Sequence, residues 1–243
     1  MDAIKVQNLT HDFKDLRALN DVSFSVQQGE VFSFLGPNGA GKTTTIRILT
    51  GQLRPTSGRA WVMGYDVVEQ RDLVKSSFGV VFEYPNLYER MSARDNLSFY
   101  AQLYGVKKER MDDILEMIGL VDRAKESVKK FSNGMKQRLL IGRALLHSPR
   151  VLFLDEPTRG LDPHVARDIR AMIANLAKEG VTIFLTTHYM EEADQLSHRV
   201  AFINRGQIVA MDAPQQIKQA HSNGKPVTLE DVFIQLTGKE LVR

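Results

Sequence analysis

Short apolar runs rich in β-branched and aromatic residues alternate along this chain with segments in which apolar residues recur every three or four positions. The runs are typical of buried strands, and the recurring positions are typical of one face of a helix. Three pairs of strand and helix are predicted in this way: 31–35 with 44–49, 151–154 with 163–178, and 181–186 with 190–196. Because strands joined through helices pair in parallel, the alternation predicts an α/β core.

The strand signal vanishes between about residues 85 and 148, where apolar residues recur at helical spacing instead. Packing of amphipathic helices explains this stripe without a cofactor; it consists of Leu97, Tyr100, Tyr104, Met111, Ile114, Leu115 and Ile118. Ser92 followed by Asp95 is typical of a capping box at the start of the first helix. We therefore expect a single domain, in which a helical subdomain of residues 85–148 interrupts an α/β core formed by 1–84 and 149–243.

Two more elements are predicted near the end of the chain. Residues 201–209, with a turn at 204–206, have the pattern of a β-hairpin. Thr228 with Asp231 three residues on predicts the start of a last helix, and Gly238 predicts its end.

The composition is that of an ordinary globular protein. Of the 243 residues, 43% are apolar and 25% are charged, which allows a substantial core. A formal net charge of +3 would permit nucleic-acid binding, but the Lys and Arg residues are scattered and no aromatic residues interleave with them. No nucleic-acid partner is therefore expected.

Cysteine usage and apolar run length restrict where the protein acts. The chain has no cysteine, which excludes disulfides, thiolate metal ligands and a cysteine nucleophile and fits a reducing compartment. Its longest wholly apolar stretches, such as 151–154, are far shorter than the ~20 residues that span a bilayer, and 1–9 does not have the pattern of a signal peptide. We expect a cytosolic protein; if it works at a membrane, another chain crosses it.

The segment GPNGAGKT, residues 36–43, follows a strand pattern and precedes a helical one, which is the context of a Walker A phosphate loop. Its glycines let backbone N–H groups approach phosphate oxygens, and the helix adds its positive N-terminal end. Lys42 is expected to contact the β- and γ-phosphates and Thr43 to bind Mg²⁺. The expected nucleotide-binding residues are Gly36, Pro37, Asn38, Gly39, Ala40, Gly41, Lys42, Thr43 and Thr44.

Residues 150–157, RVLFLDEP, form an apolar run that ends in two carboxylates. A buried strand would carry both to the carboxyl edge of the sheet, where ligands bind in open α/β folds. We assign Asp155 to magnesium and Glu156 to the attacking water; a pair of solvated acids is the alternative. His188 follows another strand pattern and is expected at the same edge, contacting the γ-phosphate or the water. A structural role is expected for His11, His147, His164, His198 and His221.

Between these segments, residues 131–149 place Ser132, Asn133 and Gly134 before an apolar helix. This resembles the signature motif of the ATP-binding cassette (ABC) family. With the segments GPNGAGKT, FLDEPTRGLD and TTH, the resemblance spans nearly the whole chain. Residues 187–209 are similar to the branch whose cassettes drive export of drugs, antibiotics, glycans or ions through a separate membrane subunit.

The resemblance implies a P-loop NTPase core with a mixed sheet, antiparallel strands near the N-terminus and an inserted helical subdomain. It also implies a head-to-tail homodimer with two ATP molecules between the chains, in which Ser132 and Gly134 serve the partner's nucleotide. Phe13 is then expected to stack on adenine, although it could equally be a core residue. Asp162 matches a loop that communicates across the dimer, or it could be the cap of a helix that begins at Pro163.

Two positions depart from the family pattern. Glu83 stands where the family usually has glutamine; its carboxylate can still ligate Mg²⁺, but it adds a negative charge beside the triphosphate. Asn133 and Met135 replace the commonest residues of the signature, and asparagine tolerates positive φ next best to glycine.

The leading hypothesis is the ATPase subunit of an exporter, placed at the cytoplasmic face of the membrane by a transmembrane permease that docks near residues 85–94. A soluble cassette ATPase acting on nucleic acid or ribosomes is the alternative. A GTP-driven switch lacks a guanine-reading Asn-Lys-x-Asp segment, and a nonhydrolytic module is disfavoured by Glu156. The transported substrate is not encoded in this chain.

Overall fold

Two β-sheets flanked by helices form the fold in the computed structural model, which describes residues 1–222 and 224–238. The strands are β1 (Asp2–Phe13), β2 (Leu16–Gln27), β3 (Val31–Leu35), β4 (Ser57–Val62), β5 (Tyr65–Asp66), β6 (Phe78–Val81), β7 (Val151–Asp155), β8 (Thr182–Thr187), β9 (Arg199–Asn204) and β10 (Gln207–Asp212). The helices are α1 (Lys42–Leu49), α2 (Arg71–Ser77), α3 (Ala93–Leu103), α4 (Lys108–Met117), α5 (Asn133–Ala144), α6 (Pro163–Lys178), α7 (Met190–Leu196), α8 (Pro214–His221) and α9 (Leu229–Thr237). Short 3₁₀ helices span Val121–Arg123 and Val128–Lys130.

The larger sheet has the strand order β10-β9-β3-β8-β7-β6. Its inner pairs are parallel, and β9 pairs with β10 in antiparallel fashion. All residues of β3, β7 and β8 are buried, because helices and the smaller sheet together cover the faces of the parallel part. The predicted α/β core with a mixed sheet is therefore confirmed.

Parallel pairing brings three chain segments to one edge of this sheet. Leu35 at the end of β3 lies beside Thr187, and Asp155 at the end of β7 lies beside Thr186. The loops that follow β3, β7 and β8 therefore leave the sheet side by side.

The smaller sheet is antiparallel, in the order β2-β1-β4-β5, and forms the N-terminal part of the fold as expected. Phe24 of β2 stacks on Phe32 of β3 at a centroid distance of 5.4 Å and on Phe184 of β8 at 5.8 Å. These rings join the two sheets in one hydrophobic core.

Helices α3, α4 and α5 lie between β6 and β7 in the chain, in the segment where helices were predicted. Buried side chains from the predicted stripe are Leu97, Met111, Ile114, Leu115 and Ile118. Tyr104 differs, because it is the C-cap of α3 and is 47% exposed. The Ser92 hydroxyl caps α3 by accepting from the Asp95 N–H, and the Asp95 carboxylate accepts from that hydroxyl. The division into core and helical subdomain remains a prediction.

Several predicted boundaries agree with the structure. Helices α6 and α7 span the predicted residues, and β9 and β10 form the predicted hairpin around Arg205 and Gly206. Thr228 and Asp231 form a complete capping box at the start of α9, and Gly238 ends that helix with a φ of 64°. Among the described residues, no helix combines the length and apolar character needed to cross a bilayer.

Candidate active site

The phosphate loop connects β3 to α1 and has a backbone that only glycine fits at key positions. Gly39 and Gly41 have φ values of 79° and 110°, in the left-handed region. At Gly36, a Cβ would lie 2.2 Å from the carbonyl oxygen of Ile203. The loop is therefore held against β9 while α1 begins at Lys42 and directs its first N–H groups toward the loop.

Lys42 lies inside this loop and is 6% exposed. Its ammonium donates to the carbonyl of Gly36 at 2.6 Å and lies 3.2 Å from Oε1 of Glu156. The carbonyl and the carboxylate compensate for the burial of the positive charge of the ammonium. The ammonium can exchange these acceptors for phosphate oxygens.

Asp155 ends β7 and is almost fully buried. One of its carboxylate oxygens accepts from the Thr43 hydroxyl at 2.9 Å, and the other accepts from the hydroxyl of Thr186. Burial raises the pKa of the Asp155 carboxyl above its usual value, although these hydrogen bonds act in the opposite direction. A hydroxyl and a carboxylate side by side are the hard oxygen donors that Mg²⁺ prefers, so the residues present fit this ion.

Glu156 adopts a left-handed backbone conformation, with a φ of 52°, which is uncommon for a residue with a side chain. Its N–H donates to the carbonyl of Thr186 at 3.0 Å, and its Oε2 lies 2.7 Å from Nδ1 of His188. The carboxylate is thus held between Lys42 on one side and His188 on the other. Local strain at a buried acid is typical of functional sites.

A cavity of about 400 Å³ opens over these groups. It is lined by the phosphate-loop residues Pro37, Asn38, Gly39, Gly41, Lys42, Thr43 and Thr44. Phe13, which is 41% exposed and packs edge-on against His11, lies at its wall with Glu83 and Glu156. Gly36 and Ala40 of the same loop do not line the cavity, and Ala40 is buried in the core.

The signature residues lie elsewhere. Ser132 and Gly134 line a second cavity, of about 420 Å³, together with Asp162. The Ser132 hydroxyl accepts from the Met135 N–H at 3.3 Å and so caps α5. Asp162 is the N-cap residue of α6, with Pro163 at the first position of the helix. The structure therefore separates these three residues from the phosphate loop of the same chain.

Sequence reasoning missed three contacts around the site. Thr186 binds Asp155 because β7 and β8 pair in register, and the order of strands in a sheet is not visible in the sequence. Arg159 forms an ion pair with Glu83, although helices α3, α4 and α5 separate the two residues in the chain. Glu192 is fully buried and accepts from the Thr158 hydroxyl at 2.7 Å.

The remaining histidines have structural contacts. His198 accepts from the Val31 N–H at 2.9 Å, His147 bonds the carbonyl of Phe78 at 2.8 Å, and His221 bonds that of Ile217 at 2.9 Å. His164 lies 4.0 Å from Asp168 on α6, and His11 packs against Phe13.

Comparison with known proteins identifies the family of the chain. A family model described as ABC transporter matches residues 19–159, more than half of the chain. The fluoroquinolones export ATP-binding protein of Mycobacterium tuberculosis is 43% identical over 223 residues, which cover 91% of this chain and 74% of that protein.

Two solved structures agree as well. The structure of an ATP-binding subunit of an ABC transporter is similar with a TM-score of 0.87 at 27% identity, covering 97% of this chain and 99% of that one. A dimeric post-hydrolysis state of an ATP-binding cassette bound to ADP and Pi has a TM-score of 0.78 at 25% identity, covering 86% of this chain and 98% of that one. The resemblance seen in the signature segment is confirmed, and the chain belongs to the ABC transporter family.

Proposed function

We propose that this chain is the ATP-hydrolysing subunit of an exporter, in which two copies close around two Mg-ATP molecules and drive a separate transmembrane subunit. The observation that carries the proposal is the convergence of Lys42, Thr43, Asp155, Glu156 and His188 on one edge of the sheet, beside a glycine loop that fits phosphates.

ATP binding is assigned to the loop and its neighbours. Backbone N–H groups at the start of α1 and the Lys42 ammonium receive the phosphates, and Phe13 at the cavity wall offers a ring face to adenine. Thr43 and Asp155 would hold Mg²⁺, and the Glu83 carboxylate would offer a further oxygen. When bound, the ion would neutralise phosphate charge.

Hydrolysis is assigned to Glu156. Its carboxylate orients the attacking water and accepts a proton, while Lys42 holds its Oε1 and His188 holds its Oε2. His188 Nδ1 fixes Glu156, which leaves the other ring nitrogen for the γ-phosphate or the water.

The dimer is supported by the separation of the two cavities. Ser132, Gly134 and Asp162 line a different cavity from the phosphate loop of their own chain. A hydroxyl and backbone N–H groups at a helix N-terminus nevertheless suit a second phosphate clamp. A head-to-tail pair of chains brings this clamp to the partner's nucleotide. A dimeric cassette among the similar structures supports the same assembly.

The transmembrane subunit is proposed to dock on residues 85–94, which lead into α3 and include its first two residues. Tyr84 beside this segment is 78% exposed, and Tyr88 within it packs edge-on against the exposed ring of Phe99 at 5.3 Å. Exposed aromatic residues of this kind suit a protein interface. The protein would then lie at the cytoplasmic face of the membrane, and its partner would select the substrate. No feature described in the site favours nucleic acid or ribosomes instead.

Glu156→Gln tests the hydrolytic assignment. The amide keeps the shape of the side chain but cannot accept the proton, so we expect ATP binding to persist, turnover to fall by about three powers of ten or more, and dimers to accumulate with ATP. Hydrolysis and nucleotide binding are measured side by side. The control is Glu191→Gln, an exposed glutamate on α7, which should keep normal turnover. Normal turnover in Glu156→Gln would show that the base is wrongly assigned.

Copurification tests the exporter assignment. The tagged full chain, extracted from its native membranes in mild detergent, is expected to bring down a multispanning protein in stoichiometric amount, because none of its described helices can cross the bilayer. Substitution of both Tyr88 and Phe99 by Ser should weaken that association while leaving basal ATP hydrolysis in place. Recovery of ribosomes or DNA in place of a membrane protein overturns the exporter assignment.

A further inference from the structure

The charged side chains that line the main cavity form two pairs at different depths. Lys42 and Glu156 are both almost fully buried and lie 3.2 Å apart. Glu83 and Arg159 form a second ion pair nearer the solvent, with side chains that are 21% and 43% exposed. Without Arg159, the cavity lining would carry one net negative charge, facing a ligand that is itself an anion.

Arg159 extends from a turn that is fixed at several points. The preceding residue, Thr158, is anchored by its hydrogen bond to the buried Glu192. The Arg159 N–H donates to the carbonyl of Glu156 at 3.2 Å, and the Leu161 N–H donates to that of Thr158 at 3.2 Å. The base of the Arg159 side chain is therefore held at a set distance from Glu156.

Glu83 faces two spaces at once. It lines the main cavity, and it lines an adjoining hollow together with Thr43 and Asp155. It therefore shares the main cavity with Glu156 and the adjoining hollow with Asp155. Like charges of this kind repel each other and repel polyphosphate, and the repulsion is stronger in a partly buried site than in water.

We propose that Arg159 is a positioning residue for nucleotide binding: by pairing with Glu83, it cancels the negative charge of that carboxylate and holds it at the lining of the cavity. The inference rests on the proposed function for the identity of the nucleotide. Its distinct claim is that the contribution of Arg159 to nucleotide affinity depends on the presence of Glu83. A guanidinium that acted on the nucleotide directly would matter equally whichever residue occupied position 83.

A double-mutant cycle tests this dependence. Arg159→Gln leaves Glu83 uncompensated, so its affinity for a fluorescent ATP analogue in MgCl₂ should fall about fivefold to tenfold, with KM for ATP rising in parallel and kcat changing less. Glu83→Gln removes the charge but keeps a side-chain oxygen for Mg²⁺, so this change alone should alter affinity by about twofold or less. The double variant should bind like Glu83→Gln, because the unpaired charge is gone. Arg159→Lys should keep most of the affinity, since it keeps the charge without the planar fork.

The matched control is the exposed ion pair between Arg123 and Glu126, whose side chains are 45% and 37% exposed. Neutralising either should leave nucleotide affinity unchanged. The inference is overturned if Arg159→Gln costs the same affinity in the Glu83→Gln background as in the wild-type background, or costs none in the wild-type background. The binding cycle does not require turnover. A wild-type chain that binds ATP but fails to hydrolyse it would overturn the proposed function, whereas the binding cycle would still decide this inference.

Discussion

At the scale of single residues, the site depends on conformations and contacts that few side chains could replace. Glu156 combines a left-handed backbone with a buried carboxylate. Asp155 beside it accepts hydrogen bonds from two hydroxyl groups. The two neighbouring acids therefore have different surroundings, which is consistent with the different roles proposed for them. Gly36 is constrained in another way, since the carbonyl of Ile203 occupies the space that a side chain would need.

Gly36→Ala is expected to displace the phosphate loop. Its Cβ would meet the Ile203 oxygen, which is part of β9 and cannot rotate away, so we expect a loss of about 1–3 kcal/mol in the free energy of unfolding and a clear loss of nucleotide affinity. Thermal unfolding and nucleotide titration measure the two effects. Gly29→Ala is the control: it has a φ of 74° but open space around it, so it should cost about 1 kcal/mol and leave affinity unchanged. Normal binding by Gly36→Ala would contradict this account.

At the scale of elements, the sequence predicted best what depends on local patterns. The boundaries of α6 and α7, the hairpin of β9 and β10 and the cap at Thr228 all follow from nearby residues, and all were found. The order of strands could not be predicted, because pairing between β3, β8 and β7 joins segments that are far apart in the chain. Two 12-residue strands, β1 and β2, were expected only as unspecified N-terminal strands.

The candidate site divides in the same way. The phosphate loop and the two acids have sequence signals because their chemistry requires adjacent residues. Arg159 and Thr186 have no such signal, since each acquires its partner only when β6, β7 and β8 lie side by side. The ion pair with Arg159 also offsets the negative charge of Glu83, which alone would be unfavourable beside a triphosphate.

At the scale of the whole molecule, each chain carries two separate cavities, and in the proposed dimer they would form the two halves of one site. Activity per chain should therefore rise with protein concentration until dimers form. The two halves can also be disabled independently, in different chains. This permits a test in which neither partner is active alone.

Mixing Ser132→Arg chains with Lys42→Ala chains should restore hydrolysis. Each homodimer lacks either the clamp or the loop lysine at both sites, but a mixed dimer has one site with a normal loop and a normal signature segment. Equal mixing should recover up to about a quarter of the normal rate, since about half of the dimers are mixed and each has one intact site. ATPase assays before and after mixing measure this. Ser76→Arg, on the exposed face of α2, is the control and should be fully active. Normal hydrolysis by Ser132→Arg alone would contradict the sandwich.

The separation of the two cavities on one chain also has a genetic consequence. If both sites of a dimer must work for transport, one defective chain disables the normal chain with which it assembles. In a cell that makes equal amounts of normal and Glu156→Gln chains, only about a quarter of the dimers would contain two normal copies. A mutation of this kind would behave as dominant, whereas one that prevents folding would be masked by the normal gene.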